Sequence, residues 1–274
     1  MSEFKEEGFL STEMVDTAQE CRRQHSEWFA LCESMNRFSL ALASRLVCHP
    51  NNRQECLAAA LFLRTISIFE GTVVLIERCM LIEAKILLRT LMETLFALRA
   101  ITLHAEVADE FYGSQYITKL KALRKFMEAH LDLAYFPRRD LTEHGLTERI
   151  RELDGLVGSD RTEMRTRDLA EKAGLLDFYN VAYTVLSWTV HSNILDIAGS
   201  HMAGQSDSDI SGVYLGLQME KVEQWFLSAC ECMVVAMQSV NGMFRIGVEN
   251  EITDYERRYK SRFASYWTAI NEQS

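Results

Sequence analysis

The chain has 274 residues, 48% of them hydrophobic, and sets 29 basic against 39 acidic side chains for a formal charge of −10. That length can bury a sizeable core as one large domain or two modest ones. The acidic surplus excludes nonspecific clinging of the whole surface to nucleic acid or anionic membrane, although a local basic patch can still meet RNA. Only two prolines, Pro50 and Pro137, and 13 glycines interrupt a chain rich in Leu, Ala, Glu and Met, so long helices are expected. Seven cysteines without paired spacing, and no secretory leader pattern at the start, imply a reducing, cytoplasmic setting. The apolar run CLAAALFLRTISIFEGTVVLIERCM is broken by Arg64, Glu70, Glu77 and Arg78. No uninterrupted stretch reaches the roughly 18–20 residues of a spanning helix, so no membrane segment is expected.

In chain order, Ser11 followed by Glu13 and Asp16 marks a helix start, and the apolar spacing continues to about Val47. CHPNN (48–52) breaks it. A second helix is expected over 53–80, with Gly71 as a bend, and a third over 81–104 that continues the second through a kink. Apolar residues fall all round this third segment, the mark of a buried central helix. A polar helix over 105–133 ends at YFPRRD (135–140), because proline pushes its predecessor out of the helical region. Residues 141–173 read as short charged helices on the surface. A helix over 176–195 is followed by a Gly/Ser/Asp loop, AGSHMAGQSDSDISG (198–212). An amphipathic helix over 217–246 and a tail helix over 249–272 complete the chain. No repeat of 20–50 residues and no low-complexity segment occurs. The apolar faces are shared across every linker, so the expected fold is all-α, a single helical-bundle domain with long central buried helices.

Two polar constellations interrupt these apolar helices. In LLRTLMETLF, Arg89 and Glu93 lie about 40° apart on one helical face. Buried charges are costly unless paired, so the two either form an internal bridge that fixes register or line a site where Arg89 grips an anion. In YTVLSWTVHSN (183–193), Tyr183, Ser187 and His191 follow i, i+4, i+8 spacing, with Asn180 and Thr184 flanking and Asn193 just beyond. Each could be a half-buried residue with one partner, but three in one stripe point to a facing polar stripe, for which Arg89 and Glu93 are the candidates.

An Arg-x-x-x-Glu on a buried helix followed some 90 residues later by Tyr-x-x-x-Ser-x-x-x-His resembles the bacterial domain-of-unknown-function family 5677. Arg89, Glu93, Tyr183, Ser187 and His191 match that pattern over about residues 55–240. The resemblance implies an all-helical fold and no settled activity. The chain also looks distantly similar to the HEPN superfamily, which includes metal-independent ribonucleases with an Arg and a His four to six residues apart. RAITLH (Arg99–His104) and RDLTEH (Arg139–His144) fit that spacing, the second with the favoured Asp140 after the Arg. That likeness implies an RNA- or nucleotide-directed effector in stress response or phage defence, with His191 or His144 as acid–base group and Arg stabilising the phosphate in flight. The rival reading is a non-catalytic interaction module whose polar network specifies packing and whose C-terminal helices recruit a partner or a second copy.

No metal or other cofactor is expected. Cys21, His25 and Cys32, and then Cys48, His49 and Cys56, lack the tight pairs of zinc sites, and cysteines on apolar helix faces are usually inert. The basic clusters KLKALRK (119–125) and RRYKSR (257–262) read as solvated helix faces. Walker A, strand-borne G-x-G-x-x-G and nucleophile-elbow signatures are absent.

Overall fold

Helix boundaries here follow from local backbone chemistry and, at one point, from a distant partner. The computed structural model describes residues 4–128, 143–157, 163–191, 193–203, 212–217 and 222–271. A short helix α1 (Phe4–Glu7) and a 3-10 turn lead into α2 (Glu13–Gln24) and α3 (Ser26–Ala43). The single helix expected over 11–47 is therefore two, broken at His25, whose φ of −109° and ψ of 29° leave the helical region. His25 Nδ1 lies 2.9 Å from Glu223, so a contact remote in sequence accompanies the break. After α3, Asn51 takes a left-handed φ of 68°, a conformation Asn tolerates better than most residues. Asn52 then accepts the N–H of Glu55 through its side chain and starts α4 (Arg53–Glu77).

The two central helices form a hairpin, not the kinked continuation expected from the sequence. Cys79 has a left-handed φ of 56°, and the Met80 N–H donates to the Leu75 carbonyl at 2.9 Å, the bond that closes a Schellman-type helix end. The chain reverses into α5 (Leu81–Leu103), and Gln54 Nε2 donates to the Ile101 carbonyl at the far ends of the pair. Gly71 marks a close approach and not a bend, because a Cβ there would sit 3.0 Å from Leu87 Cδ1. One expectation is corrected by α4, which does have the length and apolar composition of a spanning helix. A bundle's core helix meets the same criterion. Here α4 buries Phe62, Ile66, Phe69 and Ile76 and turns Arg64 and Glu70 outward.

The chain continues through α6 (Ala105–Glu128), α7 (Glu143–Val157) and α8 (Thr166–Lys172). A helical run follows, made of α9 (Leu176–Phe178), a π-turn (Tyr179–Tyr183) and α10 (Thr184–Val190), and then α11 (Ile194–His201). Strands β1 (Met202–Ala203) and β2 (Gly212–Val213) pair antiparallel, so of the loop expected over 198–212 the first residues are helix and the flanks of 204–211 form a two-residue ribbon, 204–211 lying outside the described residues. The last helices are α12 (Val222–Phe244) and α13 (Glu249–Asn271). Helices α4, α8, α10 and α12 all pack on α5, whose Leu88, Leu91, Met92 and Phe96 are fully buried. The fold is an all-α single domain, as the apolar patterning predicts. The tail helix α13 folds back on α12 and α3, where Tyr255 donates to the Ser34 carbonyl at 3.0 Å.

The reversal between α12 and α13 hangs on Asn241, a buried side chain. Its Oδ1 accepts from the N–H groups of Gly247 (3.0 Å) and Val248 (3.2 Å), and its Nδ2 donates to Glu249 at 2.9 Å. Replacing Asn241 with Leu leaves two backbone donors without that acceptor. The expected cost is roughly 2–3 kcal/mol of unfolding free energy. Urea denaturation of the variant checks it, and a midpoint equal to that of the unsubstituted chain would show the turn to be held otherwise.

Candidate functional site

Lys85, Arg89 and Glu93 recur at i, i+4, i+8 along α5 and so form one polar stripe on a helix covered by neighbours. That stripe faces the segment 179–196. Arg89 Nη2 donates to the Tyr183 hydroxyl at 2.7 Å, and Arg89 Nε donates to Ser187 Oγ at 3.1 Å. The Tyr183 hydroxyl in turn donates to Glu93 Oε1 at 2.7 Å, while Arg89 Nη2 lies 3.2 Å from the same oxygen. Ser187 Oγ gives its own proton to the Tyr183 carbonyl at 2.8 Å. Each hydroxyl thus both donates and accepts within the network, and Thr166 of α8 adds a further hydrogen bond to the Tyr183 hydroxyl. The Arg89 guanidinium also lies over the Tyr183 ring, 4.8 Å from its centroid.

Burial makes this pairing obligatory. The side chain of Arg89 is 16% exposed and that of Glu93 34%, and Tyr183 as a residue is 7% exposed. The Tyr183 phenol is pushed above its ordinary value, first by burial and then by its hydrogen bond to Glu93, against the opposing charge of Arg89. Aromatic packing holds the ring in place. Tyr179 stacks on it at 4.8 Å, and Phe96 of α5 meets it edge-on at 6.0 Å.

The π-turn at 179–183 presents these groups. Wide turns of this kind are rare and recur at functional sites. Here the Thr184 hydroxyl donates five residues back to the Tyr179 carbonyl at 3.1 Å, as does the Thr184 backbone N–H. The helical run ends at His191, short of the expected Leu195. The Asn193 N–H caps the Trp188 carbonyl at 2.9 Å, and the Asn193 carbonyl starts α11 by accepting from Asp196 and Ile197.

The expected stripe is therefore met in two of its three members. Tyr183 and Ser187 join Arg89 and Glu93, but His191 lies at the helix end with its side chain exposed and outside the network. Asn180 and Thr184 point to the exposed side of the run. Asn193 acts through its backbone at the junction with α11. Arg139 and the side chain of His144 lie outside the described residues. The other Arg–His spacing is absorbed by packing: Arg99 Nε donates to the Ala173 carbonyl at 2.9 Å and His104 Nε2 to that of Lys172 at 3.1 Å, so the pair caps the end of α8.

Sequence reasoning missed the neighbouring ion pair. Lys85 Nζ reaches Asp196 at 3.2 Å, Thr189 Oγ1 donates to the same carboxylate oxygen at 2.7 Å, and Lys85 lies 5.8 Å from the centre of the Trp225 ring. The signal was present, since Lys85 stands one helical turn before Arg89 and Asp196 is the lone acid in an apolar window. Among the described residues no three His, Cys, Asp or Glu side chains converge as metal ligands. Cys21 and Cys32 are buried, the latter 3.7 Å from Cys230 of α12, while His49 bonds Glu55 on the surface. In the KLKALRK cluster, Lys121 pairs with Glu163, and Arg124 with Asp154 of α7 at 2.6 Å.

Fold and seam together define an all-helical domain organised around an internal arginine–tyrosine–carboxylate network. Residues 55–209 match the family of unknown function DUF5677, and the chain belongs to that family. The match begins where the resemblance in the sequence begins and ends before α12. No curated protein and no solved structure matches the chain. Likeness to the HEPN superfamily is not among these findings.

Arg89→Ala should cost about 3–5 kcal/mol, because it strands a carboxylate and two hydroxyls away from full solvation. Glu93→Ala should cost less, about 1–2 kcal/mol, since a third of that side chain already meets water. Both should exceed Glu152→Ala, which removes an exposed partner of Arg149. Chemical denaturation of the three variants tests the order, and equal losses would make the seam ornamental.

Proposed function

We propose that this protein is a helical interaction module, with the Arg89 network setting the position of α10 so that its outer face meets another protein. One observation carries the reading: the inner face of α10 satisfies its own polar groups, whereas its outer face bears an exposed apolar stripe flanked by Asn180, Thr184 and His191. Val181, Val185 and Trp188 recur at i, i+4, i+7 along the run and are 69%, 48% and 41% exposed, with Ile194 exposed beyond them. Such a stripe is the anchor pattern of helix-mediated recognition. An apolar stripe is also self-complementary about a twofold axis, so a second copy of this chain is the first partner to test. The C-terminal route expected from the sequence is less favoured, since α13 packs on α12 and α3.

Sedimentation velocity over a range of concentrations should show self-association that Val185→Asp or Trp188→Glu abolishes. Thermal melts should stay near that of the unsubstituted chain, because exposed substitutions usually change stability by less than about 0.5 kcal/mol. A chain that remains monomeric at every concentration would sink the second-copy reading.

The RNA- or nucleotide-directed effector is the second reading, favoured by the exposure of His191 at the end of the helix that carries the partners of Arg89. As a metal-independent ribonuclease, the protein would cut RNA in EDTA, and His191→Ala would lower the rate by about 10²–10⁴-fold with the fold intact. Absence of cleavage with or without EDTA supports the module.

A further inference from the structure

A cleft of about 910 Å³ opens away from the seam, between the α2–α3 break, the first turn of α12 and the outer side of α13. One wall is cationic. Arg257, Arg258 and Arg262, with the Ser261 and Ser265 hydroxyls, project from a single face of α13 into it. The opposite wall carries Gln24, His25, Glu27 and Trp28 from the break, and Glu223 from α12, so two carboxylates face the three guanidiniums. In a chain with formal charge −10, three guanidiniums on one cleft wall are a local reversal of sign.

The existing partners of these arginines are weak competitors. Arg262 pairs with Glu27, whose side chain is largely in solvent, and Arg257 pairs with Asp254 on the surface. Arg258 reaches the same Asp254 only at 3.9 Å and otherwise rests on the Tyr255 ring. Exposed pairs of this kind typically contribute 0–1 kcal/mol, so a better anion displaces the carboxylate. Linked phosphates are such an anion: the guanidinium fork matches two oxygens of each, as it does those of a carboxylate, and they bring more negative charge than one carboxylate. At about 1.5 Å rise per residue, Arg258 and Arg262 stand roughly 6 Å apart along the helix axis, a separation that suits two linked phosphates better than one.

The far wall is organised as well. His25 Nδ1 and Glu223 Oε1 are 2.9 Å apart, both mostly buried. Burial raises the Glu223 carboxyl, but its hydrogen bonds from His25 and from its own backbone N–H outweigh this and hold it below the ordinary carboxylate value. An ionised Glu223 accepts from His25 Nδ1–H and so holds the imidazole ring in place on this wall. Trp28 is locked parallel to Phe226 at 5.9 Å, so this wall is rigid.

We propose that this cleft is a second site, distinct from the Arg89 seam, that binds a compound with two or more linked phosphates on Arg257, Arg258 and Arg262. The volume accommodates a nucleoside diphosphate as well as bare pyrophosphate, and the shared diphosphate is what the arginines read.

Isothermal titration of the full chain with pyrophosphate, ADP, orthophosphate and adenosine tests it. Pyrophosphate and ADP should bind, orthophosphate should bind more weakly, and adenosine alone should not be retained. Tighter binding of ADP than of pyrophosphate would assign the source as a nucleotide, and equal binding as free polyphosphate. Arg258→Gln or Arg262→Gln should weaken binding by about tenfold or more, as loss of a charge-assisted contact implies. Arg149→Gln on α7 should leave it unchanged, and unaltered melting curves would show that each variant folds. No heat with any probe, equal affinity in the Arg258 and Arg149 variants, or binding only to an RNA oligonucleotide would overturn the assignment.

Discussion

The cationic side chains of α5 find their partners inside the protein, because neighbouring helices pack against that helix. This constraint organises the segment from α8 to α11. Lys85 takes Asp196, Arg89 takes Tyr183 and Ser187, Arg99 takes the Ala173 carbonyl, and His104 takes that of Lys172. Reading down α5 therefore reads out, in reverse order, where the later segment is pinned. Apolar contact alone would hold these helices together with little preference for register. The charges and hydroxyls add directionality, and each unmet one would carry a desolvation penalty.

Much of this was legible because it is local. CHPNN (48–52) announces the break before α4, the all-round apolar pattern of α5 announces its burial, and Arg89 with Glu93 announces a facing polar stripe. What was illegible depends on partners remote in sequence. His25 breaks a helix whose apolar spacing continues unbroken, and its ring is held by Glu223 nearly 200 residues away. Cys79 supplies a left-handed turn where glycine or asparagine would be the ordinary signal, so the hairpin was mistaken for a kink. His191 shares the periodicity of Tyr183 and Ser187, but periodicity cannot announce that the helix ends there. Arg99 and His104 show the converse error, where a spacing associated with catalysis serves a helix terminus.

The first turn of α12 joins regions that the sequence keeps apart. Glu223 meets His25, Phe226 stacks on Trp28, and Trp225 lies against Lys85 beside the seam. Three residues of one turn thus join the arginine-lined cleft to the stripe of α5. The family match stops before this helix. The part of the chain shared with the family holds the seam, and the cleft is assembled chiefly from what lies outside it.

The π-turn at 179–183 also governs how this protein can change length over evolutionary time. At the entry to the turn, Phe178 and Tyr179 lean on Phe96; at its end and beyond, Tyr183 and Ser187 meet Arg89. A five-residue turn holds one residue more than the ordinary ladder. Loss of that residue preserves a continuous hydrogen-bonded helix, yet rotates one half against the other by about 100°. The aromatic anchors and the polar anchors then cannot both face α5. A gap that looks harmless in a helical segment would here disconnect the seam, so residue count in this stretch is constrained as strictly as residue identity.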